Sequence, residues 1–342
     1  MNYNKFINID INLIMINPLK NQIIIDGLQY CNWNREIFED LRNGDVTAVH
    51  ATLVYWENTE ESFDKISEWK KLFIDNADII THAQSTQDII NAKNEKKVAF
   101  IFGFQNSAPI ANDIFLVERF FDQGLRFMQL TYNNQTSMGG GCFEPKDSGI
   151  SRFGFAAIEE MNRLGMIVDL SHAGKKTCLD AIEFSSKPVA ISHANPNFFH
   201  KAVRNIDDDI LIKLAKNNGF IGLSLYPFHL KDGGDCKIED FCSMIKKLIN
   251  LIGIDNIGIG SDLCNNWPDE VVMWMRNGKW TKKIDYGESQ NKSVVWPDQP
   301  TWFKKGSDLK NIYIAMIKSG FSEDEAFKIL GQNWLKFMKI HF

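Results

Sequence analysis

The sequence predicts an α/β protein that folds as a single (β/α)8 barrel of the TIM type. Eight short apolar, β-branched segments recur along the 342 residues, and near-continuous apolar runs of this kind are typical of parallel strands buried on both faces. Amphipathic helical patterns lie between these segments. Apolar residues make up 44% of the chain, which is enough for one large core.

The eight predicted strands are spread over the first three quarters of the chain. They are QIIIDGL from Gln22, VTAVHATLV from Val46, VAFIFGF from Val98, GLRFMQLTY from Gly124, GMIVDLSH from Gly165, PVAISHA from Pro188, FIGLSLY from Phe220 and IGIGSDL from Ile257. The alternation of strands and helices favours a closed barrel. The strand count alone is also compatible with an open, doubly wound sheet.

The helical segments show apolar residues at steps of three and four. Gly165 and Gly253 fall where helix C-caps are expected. Ser322 and Glu325 form a capping-box pattern at the start of a closing helix pair that we predict over Ser322–Met338. The clearest of the other helical patterns are Arg35–Asn43, Phe155–Gly165, Lys175–Ser185 and Ile238–Gly253.

Two stretches fall outside the repeating pattern. We predict that residues 1–21 are an N-terminal extension and that residues 265–306 are a lid or insertion after the last strand. Tryptophans recur in the second stretch and are predicted to form an aromatic wall: Trp267, Trp274, Trp280 and Trp296. We expect residues 1–342 to form one domain, because no repeat, low-complexity tract or linker divides them.

Charge and cysteine usage exclude several classes of protein. The net charge is −5, and no run of Lys and Arg provides the basic surface that nucleic acid or an anionic membrane requires. We find no secretory signal pattern and no apolar run of bilayer length. The six cysteines lack CxxC spacing, which favours free thiols in a reducing compartment. These features predict a cytoplasmic protein that acts on a small molecule.

Two of the predicted strands end in Ser-His, and this is the strongest functional signal. His172 ends GMIVDLSH, His193 lies in PVAISHA, and Asp262 lies near the end of the last strand. The carboxyl ends of barrel strands meet at the face where such folds place their chemistry. Neutral imidazoles are common metal ligands, and a nearby carboxylate can take a proton from an attacking water. We therefore predict a hydrolytic metal site.

Other strand ends add candidates with weaker signals. Gln105 follows the third predicted strand, and Tyr132 and Asn133 follow the fourth. Glu57 lies beyond the second strand, where it is either a ligand or a solvated residue at a helix start. Arg204 leaves the sixth strand, and its guanidinium suits either a substrate carboxylate or a salt bridge to a neighbouring aspartate.

The other histidines carry little functional signal. We predict His82 and His341 at the surface, and His200 and His229 in the loops after the sixth and seventh strands. His50 lies within the second strand, either in the barrel interior or in the surrounding core.

The order of several motifs resembles that of a known family. The motifs are DLSHAG, ISHANP, AVRN, GIGSDL and ILGQNWLKF, together with FGFQNSAPI and LTYNNQTSMGGGCFEPKDSGISRFG. From about Asp26 to the C-terminus the chain resembles a divergent bacterial-type branch of the membrane dipeptidase (renal dipeptidase) family of the amidohydrolase superfamily. The resemblance implies a (β/α)8 barrel, a two-zinc site, a homodimer and hydrolysis of dipeptides with free termini. It also implies that His172 and His193 bind zinc, that Asp262 acts at the metal centre and that Arg204 binds the substrate carboxylate.

The chain departs from the family pattern at several positions. The resemblance implies a His-x-Asp pair where this chain has Leu28, Gln29 and Tyr30, a bridging glutamate at Gln105 and a histidine at Tyr132. We therefore expect one divalent metal, Zn²⁺, and no second metal. Gln105 is then a substrate contact or fills the metal shell, and the Tyr132 phenol can still donate a hydrogen bond to an oxyanion.

Three hypotheses follow. The first is a one-metal hydrolase, in which Asp262 is the general base, Tyr132 or Asn133 stabilises the oxyanion and Arg204 holds a substrate carboxylate. Its substrate is a dipeptide or another small amide that carries a carboxylate. The second is a lyase or isomerase that moves a proton next to a carboxylate, with either the metal or the set of Tyr132, Asp262 and His193. The third is a catalytically silent barrel that binds a small molecule.

Overall fold

The computed structural model describes residues 18–277, 279 and 295–342. Nine parallel strands lie in these ranges, and each of the eight predicted segments overlaps one of them. The strands are β1 Ile25–Gln29, β2 Ala48–Val54, β3 Ile80–His82, β4 Val98–Phe104, β5 Leu125–Gln129, β6 Ile167–Asp169, β7 Ala190–Ala194, β8 Phe220–Leu223 and β9 Ile257–Ile259.

Eight of these strands close into a barrel. The ring runs from β1 through β2 and then from β4 to β9, and Asp26 of β1 lies opposite Ile259 of β9. β2 skips β3 and pairs directly with β4, where Ala48 lies opposite Ala99. The predicted (β/α)8 barrel is therefore confirmed, and the open-sheet alternative is wrong.

The ninth strand, β3, escaped the sequence analysis. It pairs with the first residues of β4, where Ile80 lies opposite Val98, and it stands outside the barrel ring. Its three residues are too few to show the alternation that identifies a strand.

Helices follow the strands around the barrel. Their bounds are α1 Arg35–Asn43, α2 Thr59–Asp75, α3 Thr86–Glu95, α4 Phe115–Asp122, α5 Arg152–Leu164, α6 Lys175–Phe184, α7 Asp208–Lys216, α8 Ile238–Ile252, α9 Asp269–Asn277, α10 Leu309–Lys318, α11 Glu323–Phe327 and α12 Asn333–Met338. The first predicted helix is confirmed to the residue. Gly165 ends α5 in the left-handed conformation, and Ser322 and Glu325 form the predicted capping box.

The amino end of the barrel interior is filled by apolar side chains. Inward-facing residues such as Ile101, Phe127 and Phe220 form one buried cluster with Trp334 of α12. The Trp334 indole N–H donates to the carbonyl oxygen of Ile259 at 2.7 Å. Because a Cβ at Gly27 would lie 2.3 Å from the Trp334 ring, this glycine lets the indole reach the barrel axis. We call Trp334 and its apolar neighbours the plug of the barrel. Because the plug fills the amino end, the polar residues lie at the carboxyl end.

The stretch predicted as a lid is described only in part. Its helix α9 packs over an aromatic cluster that we call the tyrosine cluster, formed by Tyr30, Tyr55, Trp56 and Tyr132. Trp267 stacks on Tyr30 at 4.9 Å, Trp274 meets Tyr55 edge-on at 6.0 Å and Trp296 lines the site pocket. Trp280 and residues 1–17 lie outside the described residues. The lid itself stays a prediction.

No helix among the described residues is both long and apolar enough to span a bilayer. The six cysteines are free thiols, four of them buried. Burial raises the pKa of the Cys264 thiol well above its usual value, and it also raises that of Cys242. Thiols of this kind are poor nucleophiles at neutral pH, because the reactive species is the thiolate.

The structure places His50 in the barrel interior. Its ring stacks on Phe127 at 4.1 Å, and its Nδ1 lies 2.6 Å from the carbonyl oxygen of Gly27. A Cβ at Gly103 would meet the His50 ring at 1.7 Å, so the imidazole takes up the space beside this glycine. Burial lowers the pKa of His50 to about 4, and the imidazole is therefore neutral in the folded protein at pH 7.

This shift predicts a loss of stability in acid. The unfolded chain takes up a proton at His50 near pH 6.5, whereas the folded chain does so only near pH 4. The contribution of the neutral His50 imidazole to the free energy of unfolding is therefore complete above pH 6.5. It is lost as the pH falls towards 4, at up to about 1.4 kcal/mol per pH unit. Urea unfolding from pH 7 to 4 should show a shallower decline for His50→Gln than for the wild type. Equal declines would contradict the shift.

Candidate active site

The predicted site residues gather around one pocket at the carboxyl end of the barrel. The pocket has an empty volume of about 510 Å3. Its described lining is formed by Tyr55, Gln105, Tyr132, Asn133, His172, Tyr226, Asp262, Cys264, Val272, Met275, Arg276 and Trp296. Of the seven residues predicted from sequence, five line this pocket. His193 and Arg204 lie behind the lining, where they contact His172.

One buried carboxylate joins the two strand ends that carry the histidines. Asp169, at the end of β6, accepts hydrogen bonds from Ser171 N at 3.1 Å and Ser171 Oγ at 2.7 Å. It also accepts from Ser192 N at 3.0 Å and Ser192 Oγ at 2.5 Å. His172 and His193 directly follow these two serines. The carboxylate therefore fixes the backbone of both histidines relative to each other.

A similar bridge positions Asp262. The Asp26 carboxylate of β1 accepts hydrogen bonds from Ser261 N at 2.7 Å and from Ser261 Oγ at 2.5 Å, just beyond the end of β9. It also accepts from Gln29 Nε2 at 2.7 Å. Asp262 then has a left-handed backbone with φ of 56°, an uncommon conformation for a residue with a side chain.

The hydrogen-bond network assigns the tautomer of both histidines. His172 Nδ1 lies 2.6 Å from the amide oxygen of Asn133, which can only accept, so Nδ1 carries the proton. His193 Nδ1 lies 2.8 Å from Ser192 Oγ, whose own proton goes to Asp169. His193 is therefore also protonated at Nδ1. Both Nε2 atoms consequently present a lone pair.

Three lone pairs converge at this point. His172 Nε2 lies 3.1 Å from His193 Nε2 and 3.0 Å from the amide oxygen of Gln105. The Gln105 amide nitrogen donates to Thr52 Oγ1 at 2.8 Å and Tyr55 OH at 2.9 Å, which turns its oxygen towards His172. Facing acceptors repel one another unless a cation or a donor lies among them, and the Arg204 guanidinium, which donates to His172 Nε2 at 3.2 Å, is such a donor. Two imidazoles oriented through Nδ1, with an amide oxygen, form a donor set that fits one divalent metal.

The electrostatics keep the imidazoles neutral. Burial lowers the pKa of His172 and of His193 well below the usual value, and the Arg204 guanidinium lowers both further. A neutral imidazole is the form that binds a metal. Within residues 18–277, 279 and 295–342, no group of three His, Cys, Asp or Glu side chains is placed to hold a metal ion. The third donor available to the histidines is thus the Gln105 amide.

Arg204 packs against the two histidines and does not line the pocket. Only 1% of the residue is exposed. Its guanidinium donates to the carbonyl oxygen of Ser171, to His172 Nε2 at 3.2 Å and to the carbonyl oxygen of His193 at 3.4 Å. The salt bridge to a neighbouring aspartate that the sequence left open does not appear among the described ion pairs, where Asp207 pairs with Lys175.

Tyr132 and Asn133 lie in the pocket wall after β5. The Tyr132 ring lies 4.3 Å from the His172 ring and meets Tyr55 edge-on at 4.8 Å. Asn133 has a left-handed backbone with φ of 61°, which asparagine tolerates better than most residues. Its side-chain oxygen points to His172, so the contact it makes orients a histidine.

Glu57 lies away from the pocket. Its carboxylate accepts hydrogen bonds from the backbone N–H groups of Tyr55 at 2.7 Å and Trp56 at 3.1 Å, and it lines a separate cleft with Lys65 and Trp69. It therefore ties down the turn after β2. The structure favours the helix-start interpretation of Glu57 over the ligand interpretation.

The remaining histidines are more buried than expected. His341 is 8% exposed and packs on Phe337, so the prediction of a surface position was wrong. His82 is half-buried and packs on Phe102 at 4.0 Å. His229 is buried behind the site, with Nδ1 at 2.7 Å from Ser224 Oγ.

The sequence analysis missed several residues of the site, among them Asp169, Ser192 and Arg276. Asp169 and Ser192 lie inside predicted strand segments. A signal for both was present in the sequence, because Asp169 is the aspartate of DLSH and Ser192 is the serine of ISH, and both are polar residues in otherwise apolar strands. Arg276 of α9 also lines the pocket and is only 5% exposed. It lies in MWMRNG, which has no motif, and only the packing of α9 brings it to the site.

The assigned tautomers can be tested by ¹⁵N NMR of histidine-labelled protein without metal. We expect both His172 and His193 to carry the proton on Nδ1. Ser192→Ala removes the acceptor of His193 Nδ1–H, so His193 should become a mixture of tautomers. The change also removes the hydrogen bond from Ser192 Oγ to Asp169, so two buried hydrogen bonds are lost, at about 1–3 kcal/mol each.

Ser171→Ala is the matched control. Ser171 binds the same Asp169 carboxylate and accepts from His193 N, but it touches no imidazole nitrogen. Both tautomers should survive this change. A His193 proton on Nε2 in the wild type would refute the assignment.

Comparison with known proteins agrees with the family resemblance of the sequence motifs. Residues 34–271 match the model of the membrane dipeptidase family, peptidase family M19. The chain is 32% identical over 179 residues to an uncharacterised dipeptidase of Schizosaccharomyces pombe and 26% identical over 289 residues to the dipeptidase tcpJ of Claviceps purpurea. These matches cover 50% and 84% of this chain. They span only 42% and 61% of the length of those relatives.

Two solved structures share the fold. The first is an amidohydrolase from Pseudomonas aeruginosa, with a TM-score of 0.89 and 33% identity over 95% of this chain and 98% of that one. The second is a metallopeptidase from Rhodobacter sphaeroides with a phosphinate mimic of the dipeptide L-Ala-D-Ala, with a TM-score of 0.78. Its 16% identity covers 94% of this chain and all of that one, and it shows the shared fold alone.

Proposed function

This chain belongs to the membrane dipeptidase family, peptidase family M19, and from that membership we propose that it hydrolyses a dipeptide or another small amide that carries a carboxylate. We further propose that it works with one divalent metal rather than two. The observation that carries the proposal is the convergence of three lone pairs from His172, His193 and Gln105.

His172 and His193 would hold the metal, with the Gln105 oxygen as third donor. We propose Zn²⁺, because imidazole nitrogen suits it. Arg204 donates to the same His172 lone pair and places a positive charge beside it. A metal must displace that hydrogen bond, so we expect weaker binding than at a site with carboxylate ligands. The family resemblance puts the second pair of ligands at Leu28–Tyr30, where Gln29 instead bonds to Asp26.

In the proposed reaction, residues of this chain have separate roles. Bound metal supplies Lewis acidity towards the scissile carbonyl. Asp262 takes the proton of the attacking water and returns it to the leaving amine. Tyr132, which packs on His172, donates its phenolic hydrogen to the developing oxyanion. Asn133 and Arg204 hold the two histidines through the contacts described above, and the walls of the pocket limit the access of bulk water.

The location, the oligomeric state and the substrate of the protein remain predictions. A cytoplasmic location and a homodimer rest on the sequence and on the resemblance. A small-molecule substrate agrees with the dipeptidase names of the relatives. Because those relatives are considerably longer than the matched regions, their whole activities are proposals for this chain.

Metal analysis tests the one-metal site directly. Protein purified without chelator or tag-derived metal and then equilibrated with Zn²⁺ should hold about one metal per chain after removal of the excess. The double variant His172→Ala/His193→Ala should hold none, because it lacks both imidazoles. Mass spectrometry of the metal, together with dipeptide hydrolysis by the same samples, checks both parts. Two metals per chain, or none in the wild type, would refute the one-metal proposal.

Substitution of Gln105 tests the third donor. Gln105→Glu places a carboxylate where the neutral amide now lies, and Thr52 and Tyr55 can donate their hydroxyl protons to it. We expect Zn²⁺ affinity to rise by about ten- to a hundredfold by competition titration. Gln105→Ala should lower the affinity and is the matched comparison. Equal affinity of all three proteins would place Gln105 outside the metal shell.

A further inference from the structure

We infer that a basic cleft at the amino end of the barrel binds a small phosphate oligoanion, such as inorganic pyrophosphate or the diphosphate group of a nucleotide. The cleft lies at the opposite end of the barrel from the candidate active site. The inference therefore does not depend on the proposed function.

The basic cleft forms where three segments of the chain enter the barrel. Lys20 precedes β1, Asp45 and Val46 precede β2, and Lys96 and Lys97 precede β4. The empty volume is about 1100 Å3, which is enough for a small molecule. The described lining consists of Lys20, Asn21, Arg42, Asp45, Val46, Lys93, Asn94, Lys96 and Lys97.

Positive charge is in excess in the basic cleft. Five lining residues are cationic and one, Asp45, is anionic. Lys97 pairs with Glu95, which lies outside the lining, at 3.0 Å. The last turns of α1 and α3 also lie at the cleft, and each helix end contributes about half a negative charge. Five positive charges therefore face about three negative ones, which leaves an excess of about two.

Three of the cations have no carboxylate partner among the residues that the structure describes. The salt bridges of that part of the chain do not involve Lys20, Arg42 or Lys96. Asp78 lies near Arg42, but its carboxylate is bonded by Arg35 at 2.6 Å. An anion can therefore approach these three cations without breaking an ion pair.

Lys93 brings a further ammonium group to the cleft, where it is half-buried. Its Nζ donates to the carbonyl oxygens of Leu19 at 3.4 Å and Asp45 at 3.5 Å, distances that are long for hydrogen bonds. An ammonium group has three donors, so these two bonds do not use all of them. Burial lowers the pKa of Lys93, because the charged form is poorly solvated there. A bound anion would offset that cost.

The chemistry of the lining indicates a phosphate chain. Lysine binds phosphate as a point charge, and a doubly charged group matches the excess charge of the cleft. Val46 is the one apolar residue of the described lining, and none of these lining residues is aromatic. A nucleobase therefore finds no ring to stack on. The phosphates should supply the affinity whether they are free or belong to a nucleotide.

Calorimetry with pyrophosphate tests the inference. At about 50 mM salt the protein should bind about one pyrophosphate per chain, with a Kd below about 1 mM. The affinity should fall at least about tenfold at about 300 mM salt, because salt screens exposed charges. The melting temperature should rise with pyrophosphate concentration, since the ligand binds the folded chain.

ADP and citrate identify the recognised chemistry. ADP with the same affinity as pyrophosphate would assign the site to the phosphate chain alone, and a tenfold advantage of ADP would assign it to a nucleotide. Citrate carries a comparable charge on carboxylates and should bind at least about tenfold more weakly than pyrophosphate. Equal affinity for citrate would overturn the assignment to phosphate.

Two double variants locate the site. Lys20→Gln/Lys96→Gln removes two exposed cations without a described salt bridge, so the protein should fold normally and bind pyrophosphate about tenfold more weakly. Lys336→Gln/Lys339→Gln is the matched control. It removes the same charge from two exposed lysines of the C-terminal region, outside the described lining. It should bind pyrophosphate as the wild type does.

Three results would overturn the inference. The first is a wild type that does not bind pyrophosphate. The second is an equal loss of affinity in both lysine variants, which would show an effect of net charge alone. The third is binding that survives Lys20→Gln/Lys96→Gln but is lost in His172→Ala/His193→Ala, which would place the anion at the metal site. Dipeptide hydrolysis by the same samples tests the proposed function separately, and Lys20→Gln/Lys96→Gln should leave it unchanged.

Discussion

The buried Asp169 carboxylate is the contact on which the site geometry depends. Its four hydrogen bonds join the end of β6 to the end of β7 and set both histidines at once. Such a group is costly to bury unless its oxygens are satisfied, and here the backbone and hydroxyl groups of two serines satisfy them. The barrel provides strands whose ends can be tied in this way. The tied ends in turn make the imidazole lone pairs converge.

The interior of the barrel separates packing from chemistry along its axis. At the amino end Trp334 and its apolar neighbours fill the space, and His50 stands between that layer and the polar one. At the carboxyl end the polar residues are held by one another and by strand ends. Here Gln105 is a neutral amide, and the Arg204 guanidinium lies beside both histidines.

Much of this arrangement was predictable from the sequence because its signals are periodic or local. Parallel strands buried on both faces are apolar throughout, so all eight barrel strands were found, and His172 and His193 were found because they end two of them. β3 was too short to show a period. Glu57 lies away from the site because of the turn after β2, and no sequence pattern predicts the path of that turn. Arg276 reaches the pocket through the tertiary packing of α9, and the role of Arg204 depends on which of several acceptors is nearest. Such contacts are set by three-dimensional distance, which sequence spacing does not report.

The plug formed by Trp334 has a consequence for synthesis of the chain. Strands β1 to β9 all precede this residue, yet the indole packs on Phe220 and bonds to the last strand at the barrel axis. A nascent chain can therefore form every strand before its interior is sealed. Until residue 334 emerges from the ribosome, the amino end of the barrel interior, where Gly27 lies, remains uncovered. Its apolar surface can then contact other chains or chaperones. The barrel interior is thus sealed only after all of its strands have been made, by an element that contributes nothing to the sheet.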